Sequence, residues 1–164
     1  MPVRTKRWND PADAGDGFRL LVCRIRPRGV AKAGEPWDEW WPDLGPSRDL
    51  LDDFHGKRGV RAERRPALPA GAHRGRVGEP SQGSREPISW DAYVPRYLDE
   101  MRGATQLWRI RDLARRVGEG DTVTLLCSSA CTDPARCHRT LLARLITSGT
   151  LGGSRPPRDG LRRA

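Results

Sequence analysis

Apolar positions along the chain alternate between short continuous runs and stripes at helical spacing, and each pattern predicts an element. Val3 to Trp8 reads as a first strand, ended by Asn-Asp-Pro and by the Gly15-Asp16-Gly17 turn. Phe18 to Ile25 reads as a second, and its continuous apolar middle suits a strand buried on both faces, as in the centre of an α/β sheet. Arg26-Pro-Arg-Gly29 forces a turn. Glu35 to Trp41, with Pro36 near its start, predicts a short helix, although Trp37, Trp40 and Trp41 cannot all face one side of it. Ser47 is placed to cap a helix over Arg48 to Phe54. Trp90, Tyr93, Val94, Tyr97, Leu98 and Met101 then repeat at helical spacing, with Pro95 predicting a kink or a boundary. A further helix carries Leu107, Ile110, Leu113, Ala114 and Val117 on one face and closes at Gly118-Glu-Gly-Asp121. Thr122 to Cys127 reads as a strand. A last helix is expected from about Pro134 to Thr147, with Asp133 as N-cap and Leu141, Leu142, Leu145 and Ile146 buried.

This order predicts an α/β fold, a small mostly parallel sheet flanked by helices. A long helical crossover between the strand ending at Ile25 and the one ending at Cys127 favours parallel pairing with a right-handed connection. The C-terminal ends of the strands then share one edge. The Arg-Pro-Arg-Gly turn and the loop after Cys127 would face each other there, where open α/β folds bind ligands.

Composition adds the surroundings of that domain. Residues 56–87 and the chain after Ser148 have almost no apolar periodicity and are rich in Gly, Arg and Pro. They predict a flexible basic insertion within a single α/β domain over residues 1–148, followed by a disordered basic tail at 149–164. Charge reinforces the division. Of the net +9, His55 to Pro87 holds eight Lys/Arg against three Glu, and the tail four Arg against one Asp, so +5 and +3 lie there and the rest is nearly neutral. Such segments are expected to be solvated, with weak non-specific nucleic-acid binding as the alternative. The first residues lack an apolar signal core and no stretch approaches membrane-spanning length, which predicts a cytoplasmic protein with no membrane association. In that compartment four cysteines argue for thiol, metal or redox chemistry rather than structural disulfides. No feature specifies an oligomeric state.

The candidate chemistry gathers near the end. Cys127-x3-Cys131-x5-Cys137-His138 offers up to four ligands of the kind zinc or iron accepts. Adjacent helical residues point about 100° apart, so three cysteines with His138 or water as the fourth ligand is the arrangement expected. A reactive thiol competes with that reading. Cys137 near a helix N-terminus, beside Arg136 and Arg139, would favour thiolate, with Cys127 or Cys131 as its resolving partner and His138 either a hydrogen-bonded core-edge residue or a general base. Buried structural cysteines are the third possibility. Arg24, Arg26 and Arg28 recur at every second position, and if strand geometry persists they form a clamp for phosphate or carboxylate. With Ser128, Ser129, Arg139 and the last helix N-terminus opposite, they point to a small anionic ligand. Pairing of these arginines with Asp38, Glu39 or Asp43 is the alternative. The absence of a Gly-rich phosphate loop, paired catalytic carboxylates and GxSxG removes those enzyme classes.

Several stretches together carry a family resemblance: Val3-Arg-Thr-Lys-Arg-Trp8, Leu21-Val-Cys-Arg-Ile-Arg-Pro-Arg-Gly29, Leu44-Gly-Pro-Ser47, Tyr97-Leu-Asp-Glu-Met101, and the Cys127 strand with the Cys137-His-Arg139 helix start. In these the chain resembles the small bacterial proteins of the domain of unknown function 488 family. The resemblance implies a compact α/β domain and carries no settled activity. Many members share Asp-Arg-x-Trp-Pro-Arg-Gly. Arg24, Pro27, Arg28 and Gly29 fit that pattern, while Cys23 stands in the Asp position and Arg26 in the Trp position. The Cys…Cys-His-Arg element is similar to one subset of the family, which implies a shared pocket. The functional expectation is therefore a Cys/His/Arg-lined pocket that binds or acts on a small anionic ligand through a reactive thiol or bound metal. The alternative is a metal-stabilised, basic-armed protein that associates with nucleic acid without catalysis.

Overall fold

A computed structural model describes residues 2–57 and 86–148 of the chain. Most of the expected basic insertion and all of the expected tail lie outside the described residues, as does the nucleic-acid reading that rests on them. Four strands, β1 (Val3–Arg7), β2 (Phe18–Leu21), β3 (Glu39–Trp40) and β4 (Val123–Cys127), form one sheet in the order β1-β4-β2-β3. Every pairing is parallel. Four helices accompany the sheet: α1 (Arg48–Phe54), α2 (Trp90–Glu100), α3 (Ala104–Gly118) and α4 (His138–Ser148). This is the α/β architecture that the apolar pattern predicts.

β4 explains why the sheet assembles. It is buried at all five positions and hydrogen-bonded on both sides, Leu125 lying opposite Thr5 of β1 and Leu20 of β2. Period-two alternation sends Leu20 and Leu125 into a core with Tyr93, Tyr97 and Leu142, and Leu21 and Leu126 into a second cluster with Trp37. The β1–β2 connection, residues 8–17, is short for parallel strands and passes tightly over the start of β4. Gly17 has φ +59° there, and a Cβ at that position would lie 2.2 Å from the Thr122 carbonyl oxygen. The neighbouring Asp16 carboxylate is buried and pairs with Arg19 and, at 2.7 Å, with Lys6. Ser47 caps α1 by accepting from the Leu50 amide at 3.2 Å, and Glu100 of α2 accepts from the Ser47 amide at 2.8 Å, tying the two helices together. α2 runs unbroken through Pro95, whose place on its exposed side lets water serve the carbonyl left without an amide partner. Among the described residues no helix is long and apolar enough to cross a membrane.

Three expectations need correction. The helix expected over Glu35 to Trp41 is instead a bent passage leading into β3. Its amides satisfy the open edge of β2, Asp38 N donating to Arg19 O at 2.8 Å and Trp41 N to Leu21 O at 2.9 Å, which a helix would have left unpaired. The second strand ends at Leu21 rather than Ile25, because beyond Val22 the backbone is packed against Gly45. The last helix does not start at Pro134. A 3₁₀ turn over Pro134–Arg136, capped by Asp133, is separated from α4 by Cys137 in extended backbone, with φ −133° and ψ 136°.

Candidate functional site

Cys127 ends the central strand at the C-terminal edge of the sheet. After it, the chain folds back through hydrogen bonds from Cys131 N to Ser128 O at 3.0 Å and from Ala130 N to Ser128 Oγ at 3.2 Å, which returns Cys131 to the strand end. The extended backbone at Cys137 sends its side chain inward, where it is buried. The three sulfurs lie within 4.8 Å of one another, Cys127 and Cys131 at 3.4 Å. Cys23, on the segment following β2, packs into the same cluster as Cys127 and Cys137.

The thiols share charge unequally. Cys131, the one member that is partly exposed, accepts hydrogen bonds from Cys127 and Cys137, which hold it well below the usual thiol range with help from the Arg139 charge. The same contacts push Cys127 and Cys137 up, and burial adds to the effect. One thiolate held by two thiols is the state these contacts favour. Arg139 is 4% exposed, and its Nη2 donates to the Cys131 carbonyl oxygen at 3.3 Å. Its Nε and Nη1 have no hydrogen-bond partner among the described residues. The His138 ring is buried against Cys127, each nitrogen 3.9 Å from the sulfur, and Nε2 donates to Val22 O at 3.0 Å. Burial lowers its basicity, which favours the neutral ring.

Of the three arginines of the turn, Arg24 is turned away from the other two. Arg24 donates to the carbonyls of Pro46 at 2.8 Å and Gly45 at 3.3 Å. Arg26 pairs with Glu35 and donates to Val30 O at 2.8 Å, and Arg28 is exposed. Their alternation required a strand that ends before it reaches them. Asp38, Glu39 and Asp43 are engaged elsewhere, by the Arg19 amide, the Trp41 indole and Arg109 respectively. Arg26 and Arg28 nevertheless line one groove beside Trp8, together with Ser128 and Ser129.

A cavity of about 230 Å³ opens beside the sulfurs, with Cys127, Cys131, Cys137 and His138 among its lining residues. Leu51 and Phe54 from α1 and Trp90 and Tyr93 from α2 line it too. Trp90 and Tyr93 stack with centroids 5.0 Å apart, and Phe54 lies 4.8 Å from Tyr93. The sequence pattern assigns this aromatic stripe to the core, gives Phe54 and Leu51 no role, and gives Arg136 a role only beside the Cys137 thiol. The one available signal was that Trp90 and Tyr93 are more aromatic surface than an eleven-residue helix needs to seat itself.

The profile of the family described as the active DUF488-N3 subclade matches residues 3–65 and 78–150. The chain belongs to the DUF488 family. This DUF488 chain is 44% identical over 57 residues to the uncharacterised protein YeaO of Escherichia coli, an alignment covering 35% of this chain and half of YeaO. To the uncharacterised proteins Rv3073c of Mycobacterium tuberculosis and Mb3100c of Mycobacterium bovis it is 26% identical over 144 residues, 88% of this chain and 92% of theirs. No solved structure matches the DUF488 chain.

Proposed function

We propose that this DUF488 domain holds a thiophilic divalent ion, zinc by the nature of its donors, on Cys127, Cys131 and Cys137, and uses the remaining coordination position on a small ligand in the adjoining cavity. The observation that carries the reading is the sulfur spacing. Metal–sulfur bonds of about 2.3 Å in a tetrahedral site set neighbouring sulfurs about 3.8 Å apart. The 3.4 Å contact and the 4.8 Å limit of the cluster bracket that distance. Three thiolates around a divalent ion leave one negative charge, and the buried Arg139 guanidinium supplies the matching positive one. His138, committed to the Val22 carbonyl and touching Cys127, then orients a ligand sulfur rather than completing the set. All three cysteines line the cavity, which supports a fourth position that would open toward it. An ion so placed would polarise a bound oxygen or lower the pKa of a bound water.

Metal content of protein purified anaerobically without chelator tests this. One equivalent of zinc, with three thiols protected from alkylation until it is removed, is the expected result. A second reading is favoured by the partial exposure of Cys131 and its stabilised thiolate, with Cys131 acting as a nucleophile. Metal-free protein in which Cys131 alone is alkylated rapidly near pH 6 would establish that reading in place of the first.

A further inference from the structure

The cavity beside the sulfurs combines an apolar wall with uncompensated positive charge. Phe54, Trp90, Tyr93 and Leu51 form the wall, and Arg24 and Arg136 are the charged residues at its margin. Arg136 is exposed and has no ion-pair partner among the described residues. Arg24 is fixed in place by the carbonyls of Gly45 and Pro46, contacts that use Nε and Nη2 and leave its charge unmatched by any carboxylate among the described residues. Among the described residues no Asp or Glu lines this cavity, whereas the groove between Arg26 and Arg109 is lined by Glu35, Asp38 and Glu39. A cationic ligand would therefore find no carboxylate, the Cys131 thiolate being already matched by the buried Arg139, and an inorganic anion would leave the aromatic wall uncovered. Size narrows the choice. An apolar cavity of about 150 Å³ takes benzene, so 230 Å³ has room for one ring and a short side chain.

We infer that the ligand of this site is a small carboxylate carrying an apolar ring, its ring against Phe54, Trp90 and Tyr93 and its carboxylate between Arg24 and Arg136. The inference names the ligand class of the metal-site cavity proposed above and rests on that cavity being the ligand end of the site. It does not depend on the metal itself, because the wall and both guanidinium groups belong to the chain.

The test is calorimetric titration of the full reduced chain, zinc-free and zinc-loaded, with 3-phenylpropionate, 3-phenylpropanol, 2-phenylethylamine and propionate. The acid is expected to bind about tenfold or more tighter than the alcohol, the amine and propionate, the margin of a charge-assisted contact over a neutral one. Arg136→Glu should weaken the acid by about tenfold and leave the alcohol unchanged. Leu51→Trp, which fills the cavity from α1, should abolish binding; if that variant fails to fold, the Arg136 variant still decides. Selective binding of the acid by zinc-free protein supports the inference whether or not zinc binds. Equal affinity for acid and alcohol, or indifference to Arg136→Glu, overturns it even where zinc occupies the cysteines.

Discussion

At Cys131 the neighbours set the chemistry more than the thiol does. Two thiols and one thiolate are the state that the contacts favour, since hydrogen bonds from Cys127 and Cys137 lower Cys131 and raise its donors. A divalent ion needs all three deprotonated, so zinc binding near neutrality is expected to release about two protons per ion. Protons compete for the same sulfurs, so affinity falls as pH falls. Release in weakly buffered solution, followed with an indicator dye, measures this; release near zero would mean that Cys127 and Cys137 are not ligands. Asp16 carries the reverse sign. Burial opposes its ionisation, but the Lys6 hydrogen bond, the Asp13 amide and the Arg19 charge outweigh it and hold the carboxyl below the usual range. Its folded-state pKa is thus depressed, and the stability it contributes is present at neutral pH and lost as pH falls through the aspartate range, below about pH 4. Asp16→Asn leaves Arg19 buried without its counter-charge and should cost about 3 kcal/mol in urea unfolding at pH 7, the gap to wild type narrowing progressively as pH falls below about 4. The cysteines were legible because their spacing survives any local backbone. The arginine alternation was legible only in part, since it depended on where a strand stopped: Arg26 and Arg28 share a groove with Ser128 and Ser129, while Arg24 turns to Gly45 and Pro46.

That stopping point is an element-scale property. Gly45 has an ordinary extended backbone, φ −82°, yet a Cβ there would sit 2.6 Å from the Arg24 amide nitrogen and 2.9 Å from Val22 O. Both neighbours are backbone, so rotation of a side chain gives no relief. Gly45→Ala is expected to cost about 1–3 kcal/mol and to weaken any ligand that depends on Arg24. Gly34→Ala, facing open space, should stay within about 0.5 kcal/mol; urea midpoints of the two variants compare them directly. The same close approach explains what local reading could and could not find. α1, α2, α3 and β4 carry caps and stripes that are local signals, and they lie where the pattern puts them. β3 exists because β2 has an edge to cover, and the break before α4 exists because Cys137 is drawn under the sulfur cluster. Those two causes lie in partners distant in sequence or in side-chain burial, and neither leaves a trace in a short window.

For the whole molecule, the question is whether the metal would staple the fold or only one loop of it. Cys127, Cys131 and Cys137 fall within eleven residues, and an unfolded chain keeps them near one another. Zinc would then bind the unfolded state as well, and the stabilisation would fall short of the roughly 2.7 kcal/mol expected at a hundredfold excess over Kd for a ligand that binds only the folded state. A rise in Tm of no more than a few degrees is expected. Hydrogen exchange should slow in residues 128–137 and change little in β1 or α3. Cys23 makes this decisive, because it comes from the end of β2 and packs against the same sulfurs without belonging to the closest three. If Cys23 were a ligand, the ion would join β2 to β4 across more than a hundred residues of chain, and its removal would lower Tm steeply. Cys23→Ser is therefore expected to keep one zinc per chain and the same small Tm increment, whereas Cys131→Ser loses both. Loss of zinc in the Cys23 variant would move the ligand set from the loop to the sheet and make the metal part of the fold.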